Sequence, residues 1–174
     1  MKDDLRPEDF IRNVPDFPEK GIQFKDITPL MGNPDALGSA VKALSGIFNG
    51  ADIGVVVAIE ARGYLLGAPM AMELGVGLVP VRKAGKLPWH TYRVDYALEY
   101  GSETLEMHQD ALKEGTRALI VDDVLATGGT MQATAKLVEQ GGGSVAGMAV
   151  LIELAFLKGR DKLTDYDLHS LIVF

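Results

Sequence analysis

Three uninterrupted aliphatic runs constrain this chain more than any other feature: Ile53-Gly54-Val55-Val56-Val57-Ala58-Ile59, Ala118-Leu119-Ile120-Val121, and Val145 to Ile152. A strand with one wet face alternates apolar and polar residues. A run without that alternation reads as a strand covered on both faces, as in a parallel sheet. Helical patterns separate the runs. Asn33-Pro34 supplies a capping side chain and then proline at the first helical position. Leu37, Val41, Leu44 and Phe48 follow at the spacing of one helical face, and Asn49-Gly50 closes the helix. A second helix is expected after Glu60-Ala61-Arg62-Gly63, ending near Leu74 with Gly75 as its cap; Pro69 implies a kink or a start near Gly67. Met131, Thr134, Ala135 and Val138 mark a third helix, stopped by Gly141-Gly142-Gly143. Gly77 to Val81 and Leu168 to Val173 read as further strands. Strand–helix–strand therefore recurs, and the expected fold class is α/β, a mainly parallel twisted sheet flanked by helices.

The remaining segments are more irregular. Asp9 to Val14 reads as a short helix ended by Pro15, and Gly21 to Ile27 as extended chain. Residues 82–91 read as a mobile loop. Tyr92 to Leu98 and Glu103 to His108 alternate around Gly101-Ser102, the pattern of a two-stranded ribbon. With 174 residues, at about 100–200 residues per domain, the expectation is a single domain, 1–174. The chain carries 17 Lys and Arg against 24 Asp and Glu, a net charge of −7. That balance argues against a nucleic-acid or membrane-surface partner, because both need a basic footprint. There is no cysteine, which excludes disulfides, thiolate catalysis and cysteine-bound zinc. Met1 to Arg6 lacks the apolar core of a signal peptide, and a cytoplasmic location is expected.

In a parallel sheet, ligands bind beyond the carboxyl ends of the strands. Two loops leave such ends: Glu60 to Gly63, and Asp122 to Thr130. In the second, Asp122 and Asp123 are adjacent acceptor-only groups. They suit the two vicinal hydroxyls of a ribose, or a metal held through water. Ala126, Thr127, Gly128, Gly129 and Thr130 then open a helix. Backbone N–H groups at such a turn, backed by the helix dipole, form a phosphate cradle, and the two threonine hydroxyls add donors. The short step from acids to cradle matches the reach from a ribose ring to its own 5′-phosphate. Elsewhere, Arg82, Lys83 and Lys86 place three cations within five positions of an acidic chain.

The run Ile120 to Thr130 resembles the 5-phosphoribosyl 1-pyrophosphate (PRPP) signature of the type I phosphoribosyltransferases. Four other blocks resemble the adenine-specific branch of that family: Phe24 to Leu30, Glu60 to Tyr64, Val81 to Pro88, and Leu98 to Gly101. The similarity extends from about Phe10 to the last strand. It implies the type I phosphoribosyltransferase fold with a small N-terminal hood (residues 1–33) and a mobile loop and β-ribbon flap (residues 82–108). It also implies a Mg2+-dependent reaction in which adenine and PRPP give AMP and pyrophosphate, through an oxocarbenium-like state at C1′. The same chemistry on hypoxanthine, xanthine or orotate is the first alternative. A PRPP-binding regulatory protein is the second.

The resemblance implies a role for each block. Glu60, Ala61, Arg62 and Gly63 form the pyrophosphate loop, where relatives often carry serine at the Ala61 position. Arg82, Lys83 and Lys86 neutralise the departing pyrophosphate. Glu99 and Tyr100 stand at the flap tip, with Glu99 handling a purine proton. Phe24 stacks on the base while Gln23 and Lys25 read its edge; arginine is commoner than lysine at position 25. Asp122 and Asp123 hold the ribose. Mg2+ arrives with PRPP and has no direct protein ligand, reaching Asp122 or Asp123 through water. A homodimer is implied, since part of the basic loop acts on the neighbouring subunit in this family.

Overall fold

The computed structural model describes residues 5–97 and 101–174. A small antiparallel pair, β1 (Arg12–Pro15) and β2 (Gln23–Asp26), leads into one helical turn, α1 (Thr28–Met31), and helix α2 (Pro34–Ile47). Then follow β3 (Val55–Ile59), α3 (Gly63–Leu74), β4 (Gly77–Lys83), β5 (Thr91–Ala97) and β6 (Ser102–His108). β7 (Arg117–Leu125), α4 (Gly129–Gln140), β8 (Ser144–Glu153) and β9 (Leu168–Val173) complete the chain. Seven strands form the main sheet in the order β5-β6-β4-β3-β7-β8-β9. The five from β4 to β9 are parallel, and β5 and β6 form an antiparallel extension at one edge.

The aliphatic runs earn their lack of alternation by packing on both sides. Val55, Val57 and Ile59 of β3 face one core with Ile120, Met131 and Leu137. Val56 faces the other, with Leu44 of α2 and Leu66 and Met70 of α3. The helices thus cover opposite faces of one sheet, α2 and α3 on one side and α4 on the other. This leaves the carboxyl ends of β3 and β7 side by side and open to a ligand. Among the described residues, no helix is long and apolar enough to cross a membrane.

Helix α2 begins as its sequence dictates. The Asn33 side chain accepts hydrogen bonds from the Asp35 and Ala36 N–H groups at 3.1 and 3.0 Å, and Pro34 fills a position whose N–H would have no partner. Losing such a cap costs about 1 kcal/mol. Asn33→Ala should therefore lower Tm by roughly 2–4 °C in calorimetry, and an unchanged Tm would show that the cap contributes nothing.

Three expectations need correction. Asp9 to Val14 is not a helix: a 3-10 turn occupies Pro7–Phe10 and a strand starts at Arg12. Pairing with β2, Arg12 opposite Asp26 and Pro15 opposite Gln23, overrides the local helical pattern. Arg82 and Lys83 are not in a loop but end β4, where Glu106 and Leu105 of β6 pair with them. Asp122 and Asp123 lie within β7, not after it, because β8 continues to Glu153 and keeps β7 paired as far as Leu125. Pro69 sits inside α3, which starts at Gly63.

Candidate active site

A cavity of about 580 Å3 opens where β3 and β7 end. Its walls come from parts of the chain far apart in sequence. Gln23, Phe24 and Lys25 of β2, with Ile22, form one side. Glu60, Ala61 and Arg62 leave β3 on another, and Lys83, Tyr96, Glu103 and Leu105 come from the edge ribbon and β4. Asp122, Asp123, Val124, Ala126 and Thr130 complete the lining with Leu154.

The two aspartates are the most unusual groups in it. Both are buried. The Asp123 N–H donates to Asp122 Oδ1 at 2.9 Å, and Arg62 Nε lies 2.5 Å from Asp123 Oδ2. Burial, and then the neighbouring Asp123 charge, push the Asp122 carboxyl well above the usual aspartate range. Burial raises Asp123 as well, while the Arg62 guanidinium opposes the rise. Asp123 Oδ2 has no hydrogen bond of good geometry despite its closeness to Arg62. A buried acceptor in that condition is costly unless a donor arrives.

Gly63 makes this packing possible. A Cβ there would lie 2.8 Å from Asp122 Oδ1 and 3.1 Å from the Val121 carbonyl oxygen, so only glycine lets the start of α3 close against the acid pair. On the far side of the pair, α4 begins at Gly129. Gly128 precedes it in the left-handed region, at φ +79°, and no side chain caps the first turn. The N–H groups of that turn have no partner within the helix, and the positive end of the helix dipole lies behind them.

Four of the five cations expected at the site are each closed into an ion pair, while Lys25 Nζ donates to Asn13 Oδ1 at 2.7 Å. Arg62 is held by Asp123, with its guanidinium carbon 5.2 Å from the centre of the Phe24 ring. Glu60 binds Arg82 at 2.7 Å and Lys86 at 2.6 Å. Burial works against ionisation of Glu60, but hydrogen bonds from Lys86 and Arg82 outweigh it and hold its carboxyl below the usual range. Lys83 lies 2.6 Å from Glu103, which also accepts a hydrogen bond from the Tyr96 hydroxyl at 2.9 Å. Burial, reinforced by the Glu103 hydrogen bond, pushes the Tyr96 phenol up to about 12, so it stays a donor at neutral pH.

Of the residues expected at the site, Gln23, Phe24, Lys25, Glu60, Ala61, Arg62, Lys83, Asp122, Asp123, Ala126 and Thr130 share the cavity wall. Gly63, Arg82, Lys86, Thr127, Gly128 and Gly129 do not line it. Arg82 and Lys86 are set back behind Glu60, and the glycines shape the backbone that carries their neighbours. Glu99 and Tyr100 lie outside the described residues. Tyr96 and Glu103 were missed. The ribbon's alternation places Tyr92, Val94 and Tyr96 on one face, but nothing local says that this face meets α4.

The donor set bears on metal binding. Among the described residues, no group of three or more His, Asp or Glu converges as a ligand cage. Asp122 and Asp123 therefore fit a cation held mainly by a ligand's own oxygens and reached from the protein through water.

Comparison with known proteins gives a consistent result. The phosphoribosyl transferase domain family matches residues 34–173. The adenine phosphoribosyltransferase of Kosmotoga olearia is 52% identical over 167 residues, covering 96% of this chain and 98% of that protein. The crystal structure of adenine phosphoribosyltransferase from Thermoanaerobacter pseudethanolicus superimposes with a TM-score of 0.93 at 53% identity, covering 96% of this chain and 97% of that one. The Saccharomyces cerevisiae enzyme of the same name, solved with an imino-altritol bisphosphate and adenine, gives a TM-score of 0.90 at 39% identity, covering 94% and 95% of the two chains.

Proposed function

Because the chain belongs to the phosphoribosyl transferase domain family, we infer that it catalyses the adenine phosphoribosyltransferase reaction, making AMP and pyrophosphate from adenine and PRPP. The observation that carries this reading is the buried Asp122–Asp123 pair set beside the open N-terminus of α4. The pair supplies acceptors for the 2′- and 3′-hydroxyls of a ribose, and the helix end supplies donors for its 5′-phosphate.

In the reaction, adenine N9 bonds to C1′ as the C1′–oxygen bond to pyrophosphate breaks, and N9 gives up its proton. Positive charge grows on the ribose while negative charge grows on the leaving group, as in glycoside cleavage. Asp122 and Asp123 fix the ring and favour its developing cation. Backbone N–H groups and Arg62 in the loop Glu60 to Gly63 receive the diphosphate, which takes Arg62 from Asp123. Arg82, Lys83 and Lys86 add charge as the diphosphate exchanges with Glu60 and Glu103. Magnesium carried by PRPP supplies further neutralisation of the leaving oxygens. Phe24 lies against the purine face, with the backbone of β2 at its edge.

We assign the N9 proton to Glu99. Glu99→Ala should lower kcat about 100-fold, in line with the loss of a general base, while KM for PRPP stays within about threefold. Equal losses in both would remove the assignment. The active unit in this reading is a homodimer. Its support is the apolar surface that α3 and β4 expose, where Met72 is 84% exposed and Leu65 and Leu78 are exposed as well.

The test is direct. Protein, PRPP and Mg2+ are mixed with adenine, hypoxanthine, xanthine or orotate in turn, and nucleotide is measured. AMP from adenine alone is expected. Turnover of a different base, or PRPP binding without turnover of any, would overturn the reading.

A further inference from the structure

The loop that opens α4 is braced from behind by a segment that touches no part of the cavity. After β8 the chain makes two 3-10 turns, Ala155–Leu157 and Gly159–Lys162. Gly159 of the second turn interlocks with the loop. A Cβ at Gly159 would collide with the Ala126 carbonyl oxygen and lie 2.9 Å from the Gly128 nitrogen, and one at Gly128 would collide with the Gly159 carbonyl oxygen. The two backbones are in van der Waals contact, so where Gly159 sits decides where Ala126 to Gly128 sit.

Arg160 fixes Gly159. Its guanidinium grips Glu153 with both arms, Nε to Oε1 at 3.0 Å and Nη2 to Oε2 at 2.6 Å. Nη1 donates to the Leu168 carbonyl at 2.9 Å and Nη2 to Ser170 Oγ at 3.1 Å. Ser170 in turn donates to Glu153 Oε2 at 2.5 Å. Glu153 is buried and is the register partner of Leu125, the last residue of β7 before the loop. The fork thus ties β8, β9 and the 3-10 turn to the point where the loop departs. A bidentate arginine–carboxylate pair defines orientation as well as charge, which a lysine cannot match.

We propose that Arg160, through Glu153 and Gly159, is a positioning residue for the Ala126–Gly129 phosphate cradle and so sets affinity for the 5′-phosphate. This inference rests on the ribose-phosphate reading given above. It assigns Arg160 no contact with substrate. Its loss should weaken ligands that carry a 5′-phosphate and leave adenine alone untouched.

The experiment uses the full chain with Arg160→Gln and Arg160→Lys, measuring AMP and adenine binding by calorimetry together with KM for PRPP, kcat and Tm. For Arg160→Gln, Kd for AMP and KM for PRPP should rise about tenfold, the scale of a sub-ångström misplacement, with Kd for adenine within about twofold. Arg160→Lys keeps the charge and loses the fork, and should fall between wild type and Arg160→Gln. If Arg160→Gln does not fold, Arg160→Lys alone decides the matter by the same AMP-against-adenine comparison. Unchanged AMP binding, or equal weakening of AMP and adenine, overturns the proposal. A wild-type protein that neither binds AMP nor forms it would instead overturn the functional reading.

Discussion

Asp123→Asn will lower kcat/KM for PRPP by about 10- to 150-fold. A hydrogen bond to a charged group is worth about 1.5–3 kcal/mol, and a neutral amide at this position weakens one such bond and removes the counter-ion of Arg62. Each 1.4 kcal/mol is about a factor of ten, which gives that range. The stability of the ligand-free protein should move the other way. Burial and the neighbouring charge raise the Asp122 carboxyl, so its ionised form opposes folding. A carboxyl raised in the folded state leaves full stability below its unfolded pKa and removes it as pH climbs through the folded one. Asp122→Asn, which keeps an acceptor for the Asp123 N–H, should therefore match wild-type Tm near pH 4 and exceed it increasingly as pH rises. Activity measured beside thermal scans from pH 4 to 8 checks both signs. A variant that loses activity and Tm together would mean that the pair holds the fold and not the ribose.

Gly128→Ala carries the second large effect. The residue has φ +79°, a conformation that costs an L-residue about 1–2 kcal/mol. Its new Cβ would also collide with the Gly159 carbonyl oxygen, a backbone atom with no rotamer to yield. The loop must shift, and with it the N–H groups proposed to receive the phosphate. KM for PRPP should rise about 100-fold, as for a misplacement near 1 Å. Tm should fall by about 4–8 °C, taking about 2 kcal/mol for strain and clash together. Gly50→Ala is the control, since Gly50 has φ +80° and nothing within 4 Å of a Cβ. It should lose a little stability and no PRPP affinity. Equal behaviour of the two variants would show that backbone conformation, not the contact with Gly159, matters at Gly128.

What could be read from the sequence was what local chemistry dictates. Val55 to Ile59 could be placed because a strand covered on both faces has no polar positions. Asn33-Pro34 marked its helix start because cap and proline act within one turn, and Gly75 marked a stop because it takes a left-handed φ of +69°. The acid pair and the glycine loop could be found together because they are contiguous. Pairings across long stretches of sequence could not. Arg62 meets Asp123, and Glu60 meets Arg82 and Lys86, only after β3, β4 and β7 have come together. The cations that looked free in a list of residues are neutralised in the fold for that reason. Arg12 to Pro15 was misread because four residues hold too little pattern to outweigh a partner strand eight positions further on. Continuation of β7 through two aspartates contradicts their poor strand preference, and the neighbouring β8 is what enforces it.

Among the described residues, the edge ribbon shares seven residue pairs between its own strands, yet pairs with the parallel strands at two, Arg82 with Glu106 and Lys83 with Leu105. One further hydrogen bond, Ala84 N–H to the Thr104 carbonyl at 3.0 Å, lies beside them. The seam is thus made of the same two residues whose side chains answer to negative charge. An anion drawing on Arg82 and Lys83 pulls at the line that joins the ribbon to the parallel strands, and not at the ribbon's outer edge.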